Sequence, residues 1–284
     1  MMKKIIPAVI AMVTGIAISA FSLSPVQEGT RLAKKNDSQP KFEKVKADII
    51  IKIYGKDGRL KFRKKMIIAQ YTEHLGTHRE KENSISYFKE PADDRGNSYL
   101  AFDYKKKEDV KYVYLKGIRK AKKVAGASNK LSFFGSDFYN CDMGFPDFNE
   151  YTYRFIGKKK LPFKGKMFEC MMVEARPKTA RIKNENGYGK KISYFINVNN
   201  RSMLTLRLEY FNEKMEKIKV LSLKSFVAKK NKKGVTVFYT TGLEMKNVQR
   251  GSRTELNFRN LKVEGRANVR TDIFSEQYLS RRWW

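Results

Sequence analysis

The run Lys44–Gln70, KVKADIIIKIYGKDGRLKFRKKMIIAQ, decides the fold. Val45, Ala47, Ile49, Ile51 and Ile53 share one face of an extended chain, while Lys44, Lys46, Asp48 and Lys52 share the other. Only Ile50 breaks the alternation. Side chains along a strand point alternately to its two faces, so this is a half-buried antiparallel strand. Gly55-Lys56-Asp57-Gly58 supplies a hairpin turn, because Asp-Gly accepts the positive φ that tight turns need, and Arg59–Gln70 is the return strand. The same reading extends along the chain to Ser84–Lys89, Ser98–Tyr104, Val110–Leu115, Tyr151–Ile156, Lys166–Ala175, Lys191–Val198, Ser202–Phe211, Lys217–Phe226, Val235–Leu243 and Ser252–Val263. Asn199-Asn200 and Lys232-Lys233-Gly234 mark further turns. Helices are expected only within Val26–Lys35 and over Thr271–Ser280, the latter capped by Thr271 or Asp272. Gly117–Phe138 stays open between helix and loop. Many strands with few helices give a mainly β (α+β) protein, a large curved antiparallel sheet or barrel whose apolar face must be covered.

The N-terminus reads as an export signal. Met1-Met2-Lys3-Lys4 is a short basic start, Ile5–Ala20 is apolar, and Ile18-Ser19-Ala20 offers a cleavage site. The apolar run falls short of the ~20 residues of a spanning helix; a retained anchor is the alternative. The expected organisation is therefore a signal peptide over residues 1–20, a polar segment with a helix over 21–44, and a β domain over 45–284. No cysteine lies near the cleavage point, so the chain is not itself N-terminally lipidated. The 60 Lys and Arg against 29 Asp and Glu give a formal charge of +31. Such an excess suits nucleic acid or an anionic membrane; export weighs against nucleic acid, leaving a solvated lysine-rich exterior or attraction to anionic lipid. An oxidising compartment permits a disulfide between Cys141 and Cys170, and two separate thiols are the alternative.

The segment Lys111–Met143, KYVYLKGIRKAKKVAGASNKLSFFGSDFYNCDM, joins an aromatic strand, a basic stretch and an aromatic-rich turn. In Tyr112-Val113-Tyr114-Leu115, Ile118–Val124 and Ser132-Phe133-Phe134-Gly135-Ser136-Asp137-Phe138 it resembles the WLYLP, LRRVRRI and SFMGSDF runs of the LolA-like family of outer-membrane lipoprotein-sorting proteins. Lys190–Phe211 resembles that family's paired strands, and Asp272–Arg281 its DLFTxRYLER ending. The resemblance implies a LolA/LolB-like fold: a strongly curved, incomplete β-barrel closed by a few helices over a hydrophobic cavity. It also implies a periplasmic carrier for the acyl chains of a lipoprotein or lipid, moving to or from the outer membrane, with an inner-membrane exporter-type transporter as partner. Asn140 stands where the family has Tyr and Cys141 where it has Glu, while Asp142 is kept.

Within that picture Phe133, Phe134 and Phe138 are the expected ligand contacts and Tyr112 and Tyr114 wall residues, with plain core packing as the competing reading. Arg119, Lys122 and Lys123 are candidates for docking a lipid head group or an acidic partner, against a merely solvated surface. His74 and His78 are spaced for a metal only on a helix, which Gly76 interrupts, so a loop is expected and no metal or cofactor. No Gly-x-Ser-x-Gly elbow, phosphate-cradling loop or His-Glu-x-x-His occurs, and no enzyme is expected. An exported basic β protein that binds anionic surfaces without a buried lipid is the competing function.

Overall fold

The computed structural model describes residues 23–73, 81–144 and 148–284; the expected signal segment, His74 and His78 lie outside the described residues. Helix α1 spans Pro25–Asp37. The strands that follow are β1 (Lys44–Tyr54), β2 (Leu60–Glu73), β3 (Lys81–Glu90), β4 (Ser98–Tyr104), β5 (Val110–Leu115) and β6 (Lys120–Val124). After a long connection come β7 (Tyr151–Phe163), β8 (Lys166–Pro177), helix α2 (Ala180–Asn186), β9 (Lys190–Asn197), β10 (Met203–Phe211), β11 (Lys217–Lys230), β12 (Thr236–Asn247) and β13 (Arg253–Val263). They form one open sheet in the order β6-β5-β4-β3-β2-β1-β13-β12-β11-β10-β9-β8-β7. Every neighbouring pair is antiparallel.

The chain thus meanders outward from β1 to one edge, crosses to the opposite edge, and meanders back until β13 pairs with β1 at the centre. Register rows show how each face is built. Ile51, Leu256, Leu243 and Leu223 lie opposite one another across β1, β13, β12 and β11. Ile68, Ser86, Tyr99 and Val113 continue that face across β2 to β5. The adjacent row, Ala69, Ile85, Leu100 and Tyr112, points the other way. Register shifts in β1, β2, β7, β10 and β11 are bulges that bend a strand and steepen its twist. The result is a marked curl. At ~4.8 Å per strand, β2 and β12 would sit roughly 14 Å apart across a flat sheet, yet the Tyr239 hydroxyl on β12 donates to Gln70 Oε1 on β2 at 2.8 Å.

Each expected strand is present, and the differences have local causes. β7 runs beyond Ile156 because Gly157, at φ 119°, takes a bulge that resets the alternation. β6 carries no apolar alternation, its first four residues being exposed, so its pattern had nothing to show. Helix α2 was not expected; Thr179 Oγ1 caps it by accepting from the Ile182 amide at 3.2 Å. The helix expected over Thr271–Ser280 is absent, replaced by a single 3-10 turn at Glu276–Ser280 within an irregular strap. Its buried residues Val269, Ile273, Phe274 and Leu279 pack with Ala69, Ile85 and Leu100 on the face away from the central cavity. At roughly 100° per residue, a helix over Thr271–Ser280 would send Ile273, Phe274 and Leu279 to three different sides, whereas the irregular chain seats all three on the sheet.

Helix α1 has both halves of a capping box: Gln27 N donates to Ser24 Oγ at 3.3 Å and Ser24 N to Gln27 Oε1 at 2.9 Å. Leu32 anchors it among Val173, Phe195 and Met203. Gly29 lets the helix approach β7 so closely that an added Cβ would stand 2.5 Å from the Arg154 carbonyl carbon and the Phe155 amide nitrogen. Two effects therefore compete in Gly29→Ala. Helix propensity favours alanine by about 1 kcal/mol, whereas a clash with backbone costs about 1–3 kcal/mol because the strand cannot yield as a side chain does. The clash should win, and a lowered midpoint in urea unfolding, with α1 loosened in hydrogen exchange, checks it.

Candidate functional site

The connection from β6 to β7 begins and ends at opposite edges of the sheet, so it must pass over one face. It passes over the face bearing Ile51 and Tyr99, carrying the Ser132–Phe138 motif with it. Phe133 sinks into the core, 1% exposed, with its ring edge-on to Tyr99 at 5.4 Å. Phe134 takes a left-handed backbone, φ 47°, and rests half-buried on Phe88 with ring centres 4.4 Å apart. Asp137 fastens the segment to the central strand β13. Its carboxylate accepts from Ser252 Oγ at 2.5 Å and Thr254 Oγ1 at 2.8 Å, and its amide donates to Thr254 Oγ1 at 2.9 Å. Farther along, Asp142 accepts from the Tyr188 hydroxyl at 2.9 Å and pairs with the buried Lys219 at 3.4 Å. The Lys219 ammonium lies over the Tyr139 ring, and burial pushes its pKa down to about 8.

Between this crossing segment and the curled sheet lies a cavity of about 340 Å³. Ile49, Met66, Ile68, Leu221, Leu243 and Leu256 give it an apolar wall, and Phe138 and Met143 close it from the crossing segment. One part of the wall is polar. Thr72, Glu82 and Asp103 are opposite one another on β2, β3 and β4, and Ser84 and Ser86 continue the stripe along β3. Glu82 pairs with Lys41. Ser86 Oγ and Asp103 Oδ1 are buried with no hydrogen-bond partner. Burial above all, then the negative charge of Asp109, the side-chain hydrogen bond it shares with Asp103, and the charge of Glu82, with Lys111 opposing, hold the Asp103 carboxyl well above the usual carboxylate range. A second groove, of about 670 Å³, lies at the β6 edge, where Lys105, Lys106, Lys107, Lys123, Lys178 and Arg181 gather.

Of the residues expected to contact ligand or form its wall, Phe138 alone lines the cavity. Phe133 and Phe134 belong to the packing that holds the crossing segment down. Tyr112 and Tyr114 are not wall residues: the register puts them on the opposite face, against the C-terminal strap. Arg119, Lys122 and Lys123 are exposed at the β6 edge, and only Lys123 borders the basic groove. The disulfide does not form. Cys141 and Cys170 are free thiols, the first carried by the crossing segment and packed against the core, the second among Leu161, Ile192 and Tyr194. Burial raises the pKa of both, to about 12 for Cys141, leaving neither poised to react. The polar stripe was missed. Ser84 and Ser86 did alternate with Ile85, but which face met a cavity depended on the curl.

An open, curled antiparallel sheet with a covered concave face is a LolA-like fold. The family model that matches the chain, over residues 80–281, describes an uncharacterized protein, and the chain belongs to that family. No curated protein matches. Among solved structures, a DUF1329 family protein from Desulfovibrio piger ATCC 29098 superposes with a TM-score of 0.75 at 23% identity, over 90% of this chain and 100% of that one. A putative outer membrane lipoprotein-sorting protein domain from Vibrio parahaemolyticus gives 0.74 at 19%, with the same coverage of 90% and 100%. A LolA superfamily protein from Nitrosomonas europaea gives 0.59 at 15%, over 88% and 99%. At these identities the likeness is one of fold.

Two measurements test the site's construction. Asp137→Ala strips the crossing segment of its carboxylate bonds and should lower stability by about 2–4 kcal/mol in urea unfolding, since hydrogen bonds to a charged group are among the stronger ones. For Asp103 the sign follows from linkage. A carboxyl whose folded pKa is raised binds more protons folded than unfolded, so stability falls as pH rises from about 4 through the raised value. Asp103→Asn should flatten that slope, stabilise the protein at pH ~7 and match wild type below pH ~4.

Proposed function

We propose that this protein is a periplasmic carrier that takes an acyl chain of a lipoprotein or lipid into its cavity for transfer to or from the outer membrane. The observation that carries the reading is the largely apolar cavity between the curled sheet and the fastened crossing segment. Burying a chain there is driven by removal of apolar surface from water, at about 25 cal/mol per Å² before ordering costs. No covalent step is needed, and the protein acts as a carrier, not an enzyme. The cavity sits at the low end of the ~300–1,000 Å³ usual for ligand sites, which suits one chain. The fold it shares with a lipoprotein-sorting domain and a LolA superfamily protein supports the same reading.

Loading and release require a surface that meets the membrane or a transporter. The basic groove and the neighbouring Arg119, Lys122 and Lys123 are the surface for anionic head groups or an acidic partner, where each well-placed cation contributes about 1 kcal/mol.

Native mass spectrometry with lipid extraction on the protein purified from a periplasmic fraction tests the proposal; a lipid or acylated protein retained at high salt is the expected result. Ile68→Trp, which fills the cavity, should cut retention more than tenfold, about 1.4 kcal/mol or more, with little loss of stability. A protein that carries no lipid and binds anionic vesicles only at low salt would instead be a charged surface binder.

A further inference from the structure

A cavity built only to hold hydrocarbon would have a hydrocarbon wall. Here β3 presents Glu82, Ser84 and Ser86 to the cavity, flanked by Thr72 and Asp103. Two atoms here are spent on nothing inside the protein: Ser86 Oγ has no partner, and Asp103, whose carboxyl shares a hydrogen bond with Asp109, leaves its Oδ1 with none, although the residues are only 2% and 8% exposed. A buried hydroxyl or carboxyl left unpaired lowers stability, and such groups are uncommon in folded proteins unless something else meets them. Their places are distinct. Asp103 lies opposite Glu82, and Ser86 lies opposite Tyr99, four residues along; at ~3.4 Å per residue the two points are roughly 13 Å apart.

The charge around them narrows what can bind. Lys41 is the single cation among the described lining residues, and it is paired with Glu82. A carboxylate or phosphate drawn into this wall would meet Glu82, with Lys41 already paired to Glu82 and the nearby Lys111 to Asp109, and a buried charge without a partner is strongly disfavoured. Uncharged oxygen is different. A hydroxyl can both donate and accept, so it satisfies Asp103 or Ser86 whichever way their protons point.

We infer that the β2–β4 wall is a polar subsite that selects an uncharged, hydroxyl-bearing lipid: head hydroxyls at the Thr72–Glu82–Asp103 row, and an oxygen farther along the chain at Ser86. This rests on the carrier reading, since it supposes a chain in the cavity. The strongly basic exterior and the cation-poor interior then have separate tasks, the first meeting anionic surfaces and the second excluding anionic heads.

Displacement of a fluorescent fatty-chain probe from the purified protein distinguishes the elements. The competitors are methyl oleate, methyl ricinoleate (the same chain with a hydroxyl), monoolein and oleate. Methyl ricinoleate and monoolein should each bind about tenfold tighter than methyl oleate, the scale of one neutral hydrogen bond, and oleate should gain nothing. Ser86→Ala should erase the ricinoleate advantage and keep that of monoolein. Asp103→Leu should do the reverse; both variants should be at least as stable as wild type at pH ~7, because Ser86→Ala removes an unpaired hydroxyl and Asp103→Leu removes a buried carboxyl crowded by the like charges of Asp109 and Glu82. If methyl oleate competes as well as the hydroxylated esters, or if either variant weakens all ligands alike, the subsite is wrong and the apolar cavity stands. If no chain displaces the probe or binds at all, the carrier reading fails and takes the subsite with it.

Discussion

The bond between Asp137 and the hydroxyls of Ser252 and Thr254 holds the rest of the arrangement in place. The sheet grows outward from its centre in two meanders, so the chain must leave one edge at β6 and enter the other at β7. That connection has to cross a face, and the face it crosses becomes an interior. Without a fastening at the middle, a long loop over an apolar surface would pay conformational entropy at every residue and return little. Asp137 sits midway and grips β13, the strand that closes the sheet's centre against β1. Phe133 and Phe138 then fill the space beneath, and what they leave unfilled is the cavity. The Ser132–Phe138 motif is thus primarily a clasp and plug, with Phe138 as its single face toward the cavity.

Among the described residues the open sheet of thirteen strands has two unpaired edges, each a template for pairing with another chain. Both are lysine-rich. Lys120, Lys122 and Lys123 are exposed along β6, and Lys158, Lys159 and Lys160 along β7. Charge on an edge strand opposes edge-to-edge association, so part of the +31 net charge has a structural cause independent of any ligand. The basic groove is more specific, because Lys178 and Arg181 reach it from the other half of the sheet. The two causes are compatible, and they weaken any inference from total charge alone.

Much of the fold was legible because strands with one wet face must alternate, and Val45–Ile53 does so almost without fault. Ser98–Tyr104 and Val110–Leu115 were bounded at the observed residues. Legibility failed where the physics leaves the alternating pattern: at Gly157, where a bulge shifts the phase, at β6, which faces water, and at the C-terminal strap, whose apolar residues follow no period. The site was less legible still. Aromatic residues near the motif attract attention, but Tyr112 and Tyr114 are separated from the cavity by the sheet itself. The cavity wall comes from β1–β4, β10–β13 and the crossing segment, residues far apart in sequence that meet only once the sheet curls. Nothing local in Ser86 or Asp103 distinguishes them from solvent-facing residues of any antiparallel strand.

Polar groups inside this cavity bear on how a carrier can also let go. An entirely apolar cavity holds a chain with a free energy set by area, and only another apolar environment of similar size competes for it. A wall with unpaired oxygen atoms works differently: the empty state is destabilised and the filled state gains directional bonds. Affinity then depends on the ligand's oxygen pattern as well as on chain length. Water that reaches the same atoms when the crossing segment loosens would satisfy them equally well, lowering the cost of the emptied state. In the carrier proposed above, the clasp at Asp137 and the stripe at Ser86 and Asp103 would belong to one mechanism: the first would hold the cavity shut around a chain, and the second would lose its hold on that chain once water reached it.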